Sequence, residues 1–259
     1  MTTTLRRNPR KVKSKAVSRR QRRDLPLVDF ASLRPAQLEV MAEAGCEVLE
    51  CQRVLAKGGS NVVAEVLPRE GTFYEFDHCP AGDVYDQENH AQYYYHAHRE
   101  GEHGHFHTFL REAGMPPGVQ PVEQTETDAM KQRDDNLSHL VAISMDGRGF
   151  PIGLFTTNRW VTAENWYAAT DVAAMLDCFV IDHARPSWPT NRWVTAMLRL
   201  FRPQIVALLH QRDTVVAEWR KRHPQEDAFE DRRLGLPSRI EISVDQQIRA
   251  IRAALDGRR

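Results

Sequence analysis

The chain has 259 residues, of which 41% are hydrophobic and 27% charged, with a formal net charge of zero. That length holds one large domain or two small ones with ample material for a core. No apolar run approaches the roughly 18–20 residues of a membrane-spanning helix, and no apolar stretch follows the basic N-terminus, which argues against a secretory signal.

The zero net charge hides an asymmetry. Residues 1–23 carry ten Lys/Arg and no acid, which leaves 25 basic residues against 35 acidic ones, a formal charge of −10, on the rest. Residues 1–24, without hydrophobic periodicity, are expected to be a disordered basic tail. Residues 25–259 are expected to form one domain, strand-rich over 60–157 and helical over 160–257. Residues 6–23 suit phosphate contacts, so nucleic acid is a possible partner. The arm has no aromatic residue to stack on bases, and a solubilising extension is the plainer reading.

From Arg34 to Lys57, Leu38, Met41, Ala42, Cys46, Leu49, Val54 and Leu55 recur at helical spacing, interrupted by Gly45. Pro35 and Gly58-Gly59 supply start and stop signals. Val62–Leu67 reads as a strand. A segment rich in aromatics and histidine runs from Phe73 to Leu110, and the stretch from Asp77 to Asp86 that leads into its hairpin reads as a loop. A long excursion then covers Gly114–Pro121 and the polar residues up to Asn136. Leu137–Met145 and Ile152–Thr157 read as strands joined by the turn Asp146-Gly147-Arg148-Gly149. Helical patterns follow at 162–181, 190–201, 204–222 and 245–256, with Asp245 as an N-cap and Gly257 as a C-terminal stop. The fold class is α+β: a central antiparallel sheet with a histidine-rich hairpin, an N-terminal helix and a C-terminal helical half. Cys46, Cys51, Cys79 and Cys178 include no Cys-x-x-Cys pair, so reduced thiols in a cytoplasm are expected, with Cys46 and Cys51 as small buried hydrophobes.

Thr157-Asn158-Arg159-Trp160-Val161-Thr162-Ala163 recurs as Thr190-Asn191-Arg192-Trp193-Val194-Thr195-Ala196. Similarity stops at the edges, so the pair makes no solenoid. Each copy reads as a helix entrance with its tryptophan packed below.

Seven of the eleven histidines lie between residues 78 and 107. Tyr93-Tyr94-Tyr95 and Phe106-His107-Thr108-Phe109 favour strands on either side of a glycine-containing turn, hence a hairpin. Alternation puts Tyr94, His96 and His98 on one face, and His103, His105 and His107 on one face of the return strand. With Glu100-Gly101 as the turn, His98 opposes His103, His96 opposes His105 and Tyr94 opposes His107, and directly opposed residues share a face. His96, His98, His103, His105 and His107 are therefore the candidate metal ligands. Neutral imidazole is a common donor for a divalent transition metal such as iron, zinc or copper. A polar outer face that happens to use histidine is the plainer alternative. Asp83 or another nearby carboxylate could complete a site or orient an imidazole, and His139 on a later strand could be a further ligand.

The stretch His96-x-His98-x3-Glu102 resembles part of the first cupin motif, which implies metal held by two histidines and a glutamate. The resemblance covers those seven residues. His90 and Phe109 stand where the motif's framing glycines belong, and a threonine replaces the histidine of the second motif. The block from Glu75-Phe76-Asp77-His78 to Phe109 also resembles an uncharacterised family of bacterial proteins of unknown function.

The sequence has no Gly-rich phosphate loop, Gly-x-Ser-x-Gly elbow or His-Glu-x-x-His helix. A metal-dependent enzyme acting on a small molecule is expected, with oxidoreductase chemistry slightly ahead of hydrolysis. A non-catalytic metal-binding or nucleic-acid-associated protein is the alternative.

Overall fold

The computed structural model describes residues 28–68, 77–97, 101–122 and 136–258. The basic tail and His98 lie outside these residues. Six strands form one antiparallel sheet: β1 (Cys79–Tyr85), β2 (Ala91–His96), β3 (Gly104–Arg111), β4 (Leu137–Met145), β5 (Pro151–Thr156) and β6 (Ser238–Glu241). Each strand lies beside its neighbour in sequence, and β1 and β6 are the two edges of an open sheet. This is a meander.

Helices cover one face. α1 (Pro35–Lys57) packs on α4 (Trp188–Leu200), and α6 (Val244–Asp256) lies against α1. α5 (Arg202–Arg222) runs over β5 and β6, and the short α2 (Arg159–Thr162) and α3 (Ala169–Met175) fill the connection. Strand alternation separates the two faces. Tyr93, Tyr95, Phe106, Leu110, Ile143 and Leu154 share one core with Leu38 of α1, Trp193 of α4 and Leu208 of α5. Tyr94, Phe109, Ala142 and Phe155 are also buried but stand outside that core, on the opposite face. Burying each such side chain contributes roughly 1.5–3 kcal/mol, and the helix-covered face holds the larger apolar cluster.

The α+β class, the N-terminal helix, the β2–β3 hairpin and the β4–β5 hairpin follow the sequence pattern. Several local expectations do not. Val62–Leu67 is a run of turns: the Asn61 side chain accepts from the amides of Val63 and Ala64, each at 3.0 Å, and this curls the chain. The stretch before the hairpin is not a loop but the irregular strand β1, whose pairing shifts between Cys79 and Val84. β6 is a short edge strand without a strong apolar signature. The helix expected over 162–181 is broken, because Ala163 turns left-handed at φ 53° and the chain re-enters a helix only at Ala169. That break carries Glu164 into the interior. Ser243, not Asp245, caps α6, accepting from the Gln246 amide. Cys51 is buried but Cys46 is exposed, because the buried stripe of α1 runs through Leu38, Met41, Ala44, Val48 and Cys51. Gly45 is explained by packing: a Cβ there would meet Ile248 Cγ1 at 2.8 Å, so its absence seats α6 on α1.

The repeated heptapeptide has two fates. The first copy is a helix entrance, with Asn158 just ahead of α2. The second lies inside α4, where Trp193 is fully buried and Asn191 accepts from the Tyr93 hydroxyl at 2.6 Å. Asn191 also donates to the carbonyls of His183 and Arg185. In both, the asparagine side chain ties distant backbone together, since Asn158 donates to the Ala228 carbonyl at 2.7 Å.

Gly104 opens β3 where the Tyr95 ring crosses it. A Cβ there would stand 2.6 Å from Tyr95 Cζ and 2.7 Å from the His96 carbonyl oxygen, whereas one at Gly147 would meet nothing within 4 Å. Gly104→Ala should therefore cost about 1–3 kcal/mol by overpacking, and Gly147→Ala almost nothing. Urea unfolding of the two variants checks the difference, and equal stability would refute the close packing at Gly104.

Candidate metal centre

The site is built on the sheet face away from the helices. The β2–β3 register is the expected one: Tyr94 opposes His107 and His96 opposes His105. Because opposed residues share a face, His96, His105 and His107 meet. Their rings are almost mutually perpendicular, with interplanar angles of 86°, 84° and 83° and centroids 4.6, 5.1 and 4.7 Å apart. One nitrogen from each lies within 4.8 Å of the others, and all three residues are buried. This triad can hold a metal ion.

The Nδ1 atoms of His105 and His107 are held by a second layer. His105 Nδ1 bonds Glu102 Oε1 at 2.5 Å, and its Nε2 lies 2.8 Å from His96 Nε2. His107 Nδ1 bonds His139 Nε2 at 3.0 Å, and His139 Nδ1 in turn reaches the Thr157 hydroxyl at 3.2 Å. His139 stands on this face because β4 carries a bulge: Thr108 opposes Val141, but Phe109 opposes His139. The extra residue reverses the alternation and aims the imidazole at His107. Burial, helped by the Arg212 guanidinium, pulls His139 down to about 3, so it is neutral.

Below His139 lies Glu164. Its Oε2 accepts from the His139 amide at 2.6 Å, and its Oε1 from the Thr162 hydroxyl at 3.3 Å. Burial pushes this carboxyl up to about 7, against the counter-pull of Arg212. Arg212 is itself buried, donating to the Tyr167 carbonyl at 2.6 Å with its guanidinium 4.1 Å from the Trp166 ring centroid. Aromatic rings complete the walls. Tyr94 lies 5.3 Å from His96 and 5.2 Å from His107, and Phe155 lies 5.1 Å from His105. Burial raises the Tyr94 phenol far above its ordinary range, so it keeps its proton.

Of the five expected ligands, three converge. His103 does not: it is exposed, and its Nδ1 bonds the Tyr95 hydroxyl at 2.6 Å, a residue of the core on the other face. Regular pairing of β2 with β3 ends at His96 and His105, so alternation no longer governs its direction. His98 is outside the described residues. Glu102 bonds an imidazole instead of joining the donor cluster. Glu164 and Arg212 carried no signal in the sequence, because each acts through burial that only the tertiary fold creates.

Glu164 makes the fold pH-sensitive. Its native carboxyl keeps its proton to a higher pH than the unfolded chain does, so its contribution is complete below its ordinary value of 4.5 and is lost as pH rises through about 7. Glu164→Gln keeps an oxygen for the His139 amide and removes the ionisation. The variant should gain on the wild type as pH rises across that window, by no more than about 3 kcal/mol, as read by urea unfolding at about pH 5 and about pH 8. An identical difference at both would contradict a buried, neutral carboxyl.

No described helix is long and apolar enough to cross a membrane. Comparison with curated proteins and with solved structures finds no match. Residues 42–242 match the model of a domain of unknown function, DUF6969. That span takes in most of α1, the whole sheet and the histidine face, and the chain belongs to this family.

Proposed function

We propose that this chain is a non-haem metalloenzyme whose ion is held by Nε2 of His96, His105 and His107. The observation that carries the reading is the orientation of the donors. Three perpendicular imidazoles point inward, and two of them have Nδ1 engaged, by Glu102 and by His139. Outer partners of this kind set the tautomer and strengthen a metal-binding imidazole. A polar face that merely used histidine would have no reason to converge on one point inside the protein.

Redox chemistry is favoured over hydrolysis, because hydrolysis calls for a base beside a metal-bound water. Among the described residues, Glu102 is committed to His105 and Glu164 to the His139 amide. Three protein donors leave open coordination on the ion for a small-molecule substrate.

The test is elemental analysis of protein purified without a histidine tag, coupled to its visible and electron paramagnetic resonance spectra. One redox-active ion per chain is expected, lost in the His96→Ala, His105→Ala double variant. Glu102→Gln should weaken binding about 10- to 100-fold, the usual scale for an outer partner. Stoichiometric zinc alone would overturn the redox reading. Absence of any stoichiometric metal in the wild type would overturn the metal reading.

A further inference from the structure

The inference concerns His78 and rests on the metal reading above. In the β1–β2 pair Cys79 opposes Tyr95, so continuing that register by one residue sets His78 opposite His96. His96 opposes His105 and His105 opposes Ser144, so His78 heads a row that crosses four strands. Cys79 is buried in the helix-side core with Tyr95, and alternation turns His78 to the triad's face. Its contacts agree. The His78 ring stacks on Tyr94, with centroids 3.6 Å apart and planes 9° apart, and sits edge-on to His96 at 5.9 Å.

His78 also repeats the pattern of His105. Its Nδ1 bonds a carboxylate, Asp83 Oδ1 at 2.9 Å, just as His105 Nδ1 bonds Glu102. Asp83 is steadied in turn by Gln92, which donates to Oδ2 at 2.5 Å. The carboxylate leaves Nε2 as the donor available to a metal. One difference matters: the His78 side chain is 44% exposed, while His105 and His107 are at most 1% exposed.

We propose that His78 is a fourth, exchangeable ligand of the triad's ion, swinging off Tyr94 to bind through Nε2 while Asp83 steers the ring. The inner three donors then form a fixed buried base, and the outermost imidazole is the one that solvent or an incoming oxygen donor displaces. Metal access and substrate access become the same event, the departure of His78.

The test uses tag-free full-length protein loaded with Co(II), with the imidazole count taken from X-ray absorption and affinity from titration. The wild type should show four imidazoles. His78→Ala should show three and bind Co(II) about tenfold more weakly, the scale for losing a supporting group, with unchanged far-ultraviolet circular dichroism because the side chain is exposed. His78→Gln, which keeps a polar side chain to stack on Tyr94, should lose the fourth imidazole equally. An unchanged count and affinity in both variants, or three imidazoles in the wild type, would overturn this inference and leave the triad reading intact. Failure of the wild type to bind Co(II) would overturn both.

Discussion

Everything at the candidate centre depends on the register of one strand pair. Tyr94 against His107 and His96 against His105 put three imidazoles on one face, and a slip of a single residue would leave His96 on the opposite face from His105 and His107. The other face holds that register in place. Tyr93 and Tyr95 are fully buried, Tyr93 is fastened to Asn191 of α4, and Phe106 packs against Trp193 at 5.7 Å. Gly104 adds a steric lock, because only a residue without a side chain lets Tyr95 cross to His103. The apolar face thus carries the folding energy, and the opposite face is left to carry polar groups in defined positions.

Those polar groups are costly to bury unless they are bonded. The fold meets much of the cost through two hydrogen-bonded chains, Glu102–His105–His96 and His107–His139–Thr157. Arg212 supplies the local positive field. It disfavours a charge on His139 and partly offsets the penalty on an ionised Glu164. The second, smaller core of Trp166, Val216, Ala228, Phe229 and Leu234 holds Trp166 beneath the Arg212 guanidinium. That cluster, remote from the hairpin in sequence, is therefore part of the same electrostatic arrangement.

The hairpin was legible because its information is local. Two extended runs, a glycine turn and period-two alternation are enough to pair His96 with His105 and Tyr94 with His107. Legibility failed wherever a non-local event reset the geometry. His103 lies just past the end of regular pairing. His139 faces His107 only through a bulge, and bulges have no reliable sequence mark. Glu164 enters the interior because Ala163 adopts a left-handed conformation, which an alanine does not advertise. β1 and β6 were missed for a related reason: irregular or short edge strands lack an alternating run of apolar residues.

The three converging histidines come from a single hairpin and lie within about a dozen residues of one another along the chain. Closing so short a loop costs little entropy, far less than bringing together donors scattered over distant strands. Hairpins of this kind form in roughly 1–10 μs, ahead of slower long-range docking. The donors can therefore pair locally at little cost, while α4 and α5, encoded some 80 to 100 residues later, supply the apolar cover that an isolated hairpin lacks.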